Sequence, residues 1–70
     1  MRYVIYLFGG YNGSPTLQSA LDYAKGVVKA HYLETGYSGE CFALIYDKLN
    51  HYRWFVWLDE DFTVRYKKIV

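Results

Sequence analysis

The chain has little cysteine, little proline and no long hydrophobic run. Its 70 residues include one cysteine, which cannot form an internal disulfide and therefore fits a reducing compartment such as the cytoplasm. One proline and a hydrophobic content of 53% exclude a disordered or low-complexity chain. The apolar run near the N-terminus spans about six residues, too short for a signal sequence or a membrane span. We expect a soluble cytoplasmic protein with a single domain over 1–70.

An excess of charge of one sign is lacking as well. The formal net charge is +1 at pH 7. No global field is therefore expected to steer the protein toward nucleic acid or an anionic membrane.

A phosphate-binding motif is missing from the glycine-rich segment "LFGGYNGSPT". A P-loop needs a lysine followed by Ser or Thr, and a dinucleotide fingerprint needs GxGxxG, whereas this segment has neither pattern and no basic residue. Pro15 also removes an N–H group that would face an anion. We interpret residues 9–13 as a turn from strand to helix that displays Tyr11 as a contact residue.

Nucleophilic and metal chemistry lack the required spacing. His51 lies in a predicted hairpin loop about 17 Å along the strand from Cys41, so the two cannot share a proton. No sequence signature supports a pair between Cys41 and His31. The adjacent carboxylates at 59–61 point in different directions from a turn. We predict no catalytic residue, no metal site and no cofactor, and therefore no enzyme.

The residue pattern predicts a small α+β domain. Runs of β-branched and aromatic residues predict four strands, over 2–8, 41–46, 52–58 and 62–69. A helix is predicted over 15–35, with Ser14 as N-cap, Pro15 in its first turn and Gly36 as C-cap. The order β-α-β-β-β indicates a mostly antiparallel open sheet with one amphipathic helix packed on one face.

The predicted helix has two distinct sides. The side expected to be buried recurs at three-four spacing: Leu17, Ala20, Leu21, Ala24, Val27, Val28 and His31 or Tyr32. The other side contains a line of small and aromatic residues: Ser19, Tyr23, Gly26, Ala30 and Leu33. That line is either a tolerant solvent-exposed surface or a contact line for another helix.

Strand register is predicted by requiring one uniformly apolar sheet face. This places Tyr46 opposite Tyr52 and Leu58 opposite Phe62. The predicted inner face then consists of Phe42, Leu44, Tyr46, Trp54, Val56, Leu58, Val64 and Tyr66. The predicted outer face consists of Cys41, Ala43, Ile45, Arg53, Phe55, Trp57, Thr63, Arg65 and Lys67. One helix cannot cover both faces, so the outer face is expected to be bare, while the two faces of strand 2–8 are equally apolar and stay unassigned.

The bare aromatic and basic face is the strongest functional signal. Trp, Tyr and Arg dominate protein–protein hot spots, and aromatic residues among cations also stack with single-stranded nucleic acid. Near-neutral net charge favours a protein partner. The predicted partner-binding residues are Tyr11, Arg53, Phe55, Trp57, Arg65 and Lys67.

The predicted function is a non-enzymatic protein-binding module. By analogy of size and fold, it suits a regulator or inhibitor of a larger complex, including a viral inhibitor encoded by a phage. Two alternatives stay open: single-stranded nucleic-acid binding through the same face, and burial of that face in a homodimer or under the chain's own termini.

Overall fold

The fold places one helix on one face of a five-stranded antiparallel sheet. The structure, a computed structural model, describes residues 1–7, 9–36 and 42–69. Its elements are β1 Tyr3–Leu7, β2 Gly10–Ser14, α1 Leu17–Thr35, β3 Phe42–Asp47, β4 Arg53–Leu58 and β5 Val64–Lys68. The sheet order is β2-β1-β3-β4-β5. The predicted α+β class, with one helix on one face of an open antiparallel sheet, is confirmed.

The segment predicted as a glycine-rich loop over 9–13 instead forms most of an additional strand, β2. It pairs with β1 in a hairpin, with Leu7 opposite Gly10 and Tyr3 opposite Ser14. Gly9 has φ 83°, a left-handed conformation that glycine adopts without steric cost and that suits a tight reversal. Glycine is depleted in strands, so the sequence pattern favoured a loop. The observed element order is therefore β-β-α-β-β-β.

The helix starts two residues later than predicted. Its N-cap is Thr16, whose Oγ1 accepts a hydrogen bond from the Ser19 backbone N–H at 3.1 Å. Ser14, the predicted N-cap, ends β2, and its hydroxyl hydrogen-bonds to the Ser19 hydroxyl. The predicted C-cap is confirmed, because Gly36 has φ 74° and donates its N–H to the Tyr32 carbonyl at 2.7 Å.

The core lies between the helix and the inner sheet face. The helix buries Ala20, Leu21, Ala24 and Val28, which belong to the predicted stripe. Its two alanines allow the helix to approach the sheet closely. The sheet contributes Tyr3, Ile5, Ala43, Ile45, Trp54, Val56 and Leu58.

The two faces of β3 are the reverse of those predicted. Ala43 lies opposite Val56 and Ile45 opposite Trp54, so both belong to the core rather than to the outer face. Phe42, Leu44 and Tyr46, predicted to point inward, share the other face. The predicted Tyr46–Tyr52 pairing is wrong by one residue, because Tyr46 pairs with Arg53. Cys41, predicted on the outer face, lies outside the described residues.

An ion pair joins the buried Asp47, at the end of β3, to the partly exposed Arg2 beside β1. Asp47 is 1% exposed and receives two hydrogen bonds from Arg2, Nε to Oδ1 and Nη2 to Oδ2, both at 3.0 Å. The backbone N–H of Leu49 also donates to Oδ1, at 2.9 Å. The hydrogen bond from Arg2, assisted by the backbone N–H groups of Leu49 and Asn50 and opposed by burial, lowers the pKa of Asp47 to about 2. Shifting β3 by one residue would turn this carboxylate away from Arg2.

Strands β4 and β5 keep the faces that the sequence pattern predicted. The structure also assigns the two faces of β1, which the pattern had left open. Leu58 lies opposite Val64 rather than Phe62, a shift of two residues that leaves Arg65 and Lys67 on the outer side. Phe62 lies in the preceding turn with φ 66°. In β1, Tyr3 and Ile5 point into the core, so Val4 and Tyr6 point outward.

The Arg2–Asp47 pair makes the free energy of unfolding depend on pH in the acidic range. The pKa of Asp47 lies below its ordinary value of 3.8 in the folded protein, so its stabilising contribution is present above about pH 4 and is lost as pH falls toward about 2. We expect Asp47→Asn to lower stability at neutral pH and to flatten this acid loss. Urea unfolding at several pH values measures both effects. Asp22→Asn, an exposed control on the helix, should leave the slope unchanged, and an unchanged slope in Asp47→Asn would contradict the assignment.

Two glycines should respond in opposite ways to the same substitution. Gly26 is exposed in the middle of the helix, and a Cβ there would meet nothing within 4 Å, so Gly26→Ala should stabilise by about 1 kcal/mol. Gly36 has the left-handed conformation, so Gly36→Ala should destabilise by about 1 kcal/mol. The midpoints of urea unfolding of the two variants, compared with that of the unsubstituted chain at an unchanged m-value, test both expectations. Destabilisation by Gly26→Ala would indicate that something packs against the helix at this position.

Candidate protein-binding face

The sheet face away from the helix, here named the open face, is rich in aromatic residues. Strand parity and register place its members together: Val4, Tyr6, Tyr11, Phe42, Leu44, Tyr46, Arg53, Phe55, Trp57, Arg65 and Lys67. Across the described ranges, no helix or further strand lies over this face. The sheet therefore presents a layer of large side chains without a second layer to cover it.

The structure brings all six predicted partner-binding residues to this face. Five of them lie on β4 and β5: Arg53, Phe55, Trp57, Arg65 and Lys67. Tyr11 occupies a strand rather than the tip of a loop. It lies opposite Tyr6, with ring centroids 6.4 Å apart, and is 77% exposed. The aromatic surface thus extends from the β2 edge to β4.

Three rings in the middle of the open face support one another. Phe55 stacks on Phe42 with centroids 5.4 Å apart and planes 28° apart, and on Trp57 at 5.6 Å and 26°. Phe42 and Trp57 are directly opposed in the β3–β4 ladder. Packed rings lose little rotamer freedom when a partner binds, which lowers the entropic cost of association.

The cations of the open face lie on the β4–β5 side. Arg65 donates to Asp59 at 2.5 Å and to Asp61 at 3.2 Å, and the hydrogen bond to Asp59 is the main cause that raises the pKa of Arg65. The Arg53 guanidinium lies 5.6 Å from the centre of the Tyr46 ring. Among the described residues, no carboxylate is within ion-pair distance of Arg53 or Lys67. Their charges are therefore available to a partner.

Sequence reasoning missed five residues of this face: Val4, Tyr6, Phe42, Leu44 and Tyr46. The β3 residues were missed because both sides of that strand are apolar. A signal was present in the alanines of the helix stripe, since small helix residues bring the sheet close and favour Ala43 over Phe42 on the inner side. Asp47 gave a misleading signal, because it shares a face with Ile45 and a carboxylate normally indicates a solvent-exposed face; its pairing with Arg2 is what permits its burial.

The metal-ligating side chains of the described ranges are dispersed rather than clustered. These ranges contain no group of three or more His, Cys, Asp or Glu side chains placed to hold a metal ion. The phenol of Tyr46 and Nδ1 of His51 are 2.5 Å apart, but both residues stand at the surface beside a hairpin loop. The predicted Cys41–His51 separation involves Cys41, which lies outside the described residues.

The one helix among the described residues is neither long nor apolar enough to cross a membrane. Comparison with protein-family models, curated proteins and solved structures finds no match to this chain. The functional interpretation therefore depends on the geometry and chemistry of the open face.

The two tryptophans should report separately on the two faces. Trp54 is 8% exposed in the core, whereas Trp57 is half-buried on the open face. Trp54→Phe and Trp57→Phe each leave one indole, and acrylamide should quench the fluorescence of Trp57 more strongly than that of Trp54. Equal, weak quenching of both would show that the open face is covered in solution.

Proposed function

We propose that this chain is a non-enzymatic protein-binding module whose binding surface is the open face. The observation that carries the proposal is the uncovered layer of aromatic side chains, with stacked Phe42, Phe55 and Trp57 at its centre. Large contiguous apolar patches are uncommon on soluble monomers and mark interaction sites. Aromatic residues and arginine are also the residue types that dominate interface energetics.

The size of the open face suits a protein interface. Five strands spaced about 4.8 Å apart, each about five residues long at about 3.3 Å per residue, make a face of roughly 24 by 17 Å. Its projected area is about 400 Å², and the relief of the side chains increases the accessible area further. A standard interface uses about 800 Å² per partner, so a partner that also contacts the rim reaches that range.

The charge pattern specifies the chemistry of the partner. Arg53 and Lys67 carry charges without carboxylate partners in the described structure. The β1–β2 side of the face, by contrast, carries no charged residue. The best-fitting partner surface is therefore an apolar patch flanked on one side by carboxylates.

Single-stranded nucleic acid fits this face less well than a protein does. Base stacking needs free ring faces, whereas Phe42, Phe55 and Trp57 stack on one another. Arg65 is engaged by two carboxylates, and the net charge of the chain is only +1. These features favour a protein partner.

The biological role that we propose is regulation or inhibition of a larger complex, by occupation of one of its surfaces. A rigid sheet bearing preorganised aromatic side chains can block such a surface without chemistry of its own. A viral inhibitor is one form of this role. The single cysteine fits action in the cytoplasm.

Site-directed photocrosslinking in the native host tests which face binds. Tyr6 on the open face and Tyr23 on the outer side of the helix have similar exposure, 46% and 41%, so they form a matched pair. A benzophenone amino acid at position 6 should crosslink a discrete protein, whereas the same group at position 23 should not. Crosslinking from position 23 alone would place the interface on the helix.

The purified crosslinked protein then permits a quantitative test. Phe55→Ala should weaken its affinity about 30-fold, as expected for a central hot spot, and Lys67→Glu should also weaken it. The controls Leu33→Ala and Lys29→Glu lie on exposed helix positions and should leave the dissociation constant unchanged. Unchanged affinity in Phe55→Ala and Lys67→Glu would refute binding through this face. Salt-dependent quenching of Trp57 by a single-stranded oligonucleotide would replace the protein-binding proposal with nucleic-acid binding.

A further inference from the structure

The two edges of the sheet are protected unequally. The β5 edge carries Arg65, Lys67 and Lys68, and such charges are a common protection of edge strands against further pairing. The β2 edge, Gly10–Ser14, contains neither a charged residue nor a proline. Strand β2 pairs with β1 on one side. Its other side pairs with no strand in the described structure.

The backbone of β2 is oriented to accept another strand. The backbone N–H of Gly13 donates a hydrogen bond to Oδ1 of the neighbouring Asn12 at 2.9 Å. This N–H group therefore points away from β1. In an antiparallel ladder, residues that bond to one neighbour alternate with residues that face the other side. Tyr11, two positions before Gly13, therefore also directs its backbone N–H and C=O to the free edge. Tyr11 thus offers a donor and an acceptor, and Gly13 offers its C=O. The Gly13 N–H exchanges Asn12 Oδ1 for a carbonyl of the added strand when pairing occurs.

We infer that β2 pairs with β2 of a second copy of this chain, which forms a two-fold dimer with a continuous ten-stranded antiparallel sheet. The register with the greatest overlap places Asn12 opposite Asn12, and Tyr11 opposite Gly13 in both directions. Tyr11 and Gly13 then exchange the backbone hydrogen bonds, and Asn12 forms the closely spaced pair at the two-fold axis.

Edge chemistry favours a second copy at β2 rather than at β5. Pairing β2 with itself opposes no like charges. It places the Tyr11 side chain of one copy beside Gly13 of the other, where the exposed apolar side chain of Met1 lies and can pack against the ring. Pairing β5 with itself would oppose a run of lysines and arginine, which is unfavourable. A β2–β5 contact is heterologous and would add further copies in an open series. Pairing of β2 with β2 instead gives a closed assembly of two copies.

The dimer would also enlarge the open face. Two antiparallel strands at a shared edge are related by an axis perpendicular to the sheet, so both open faces lie on the same side and both helices on the other. Tyr6 and Tyr11 of the two copies would then form the middle of one surface of twice the area. This inference stands independently of the partner-binding proposal, since it depends on the edge and not on the face.

Sedimentation from micromolar to millimolar concentration tests the dimer. The weight-average mass should rise from 8.3 kDa toward twice that value. Asn12 is exposed, so Asn12→Lys and Asn12→Asp should fold, and each should weaken self-association about fivefold by opposing like charges at the axis. An equimolar mixture of the two variants should restore association, because Lys then faces Asp.

The controls separate this edge from other surfaces. Lys68→Glu on the β5 edge and Trp57→Glu on the open face should both leave the dissociation constant of the dimer unchanged. A monomer at millimolar concentration would overturn the inference. A dimer that is insensitive to both Asn12 variants, or one that is lost in Trp57→Glu, would also overturn it, because it would use a different surface.

Discussion

One helix has to shield a sheet of five strands, and the arrangement of the molecule depends on that imbalance. The helix of 19 residues is about 28 Å long and about 10 Å wide, enough to cover one face of a sheet about 24 Å wide. It does so closely, because Ala20 and Ala24 lie at the contact. Close approach favours small and β-branched side chains beneath the helix, such as Ala43 and Val56. Phe42, Phe55 and Trp57 lie on the opposite side of the sheet, where the described residues form no second helix.

The Arg2–Asp47 pair makes this choice unambiguous. Hydrophobicity alone permits either side of β3 to face the helix, since Phe42 and Leu44 are at least as apolar as Ala43 and Ile45. A carboxylate that is fully buried beside a single guanidinium has no such freedom, because separation would leave a charge without a partner. The ion pair is therefore specific to the orientation of β3 in which Phe42 and Leu44 reach the open face.

The sequence was sufficient for the class of fold, the helix stripe and the outer side of β4. Those features follow from strong periodicity and from the presence of only one helix. The register of β3 was not accessible from periodicity, because it depends on Asp47 and on the five-residue loop 48–52, in which His51 adopts a left-handed conformation that favours glycine. The strand character of Gly10–Ser14 was hidden by its glycines, whose local preference is overridden by pairing with β1. The five predicted contact residues of β4 and β5 could be placed together because both strands depend on parity, which survived these errors. Tyr11, predicted in a turn, reaches the same face through a strand pairing that the sequence pattern did not indicate.

The same ion pair has a consequence for the order in which the chain assembles. Arg2 and Asp47 are 45 residues apart, so closing their contact costs far more chain entropy than closing any of the three hairpins. The β1–β2, β3–β4 and β4–β5 hairpins are local and can form early, whereas the β1–β3 ladder joins the two halves of the sheet and must wait. The step that unites the sheet is thus also the step that selects its register. We therefore expect formation of the long-range β1–β3 ladder to limit the rate at which this chain folds.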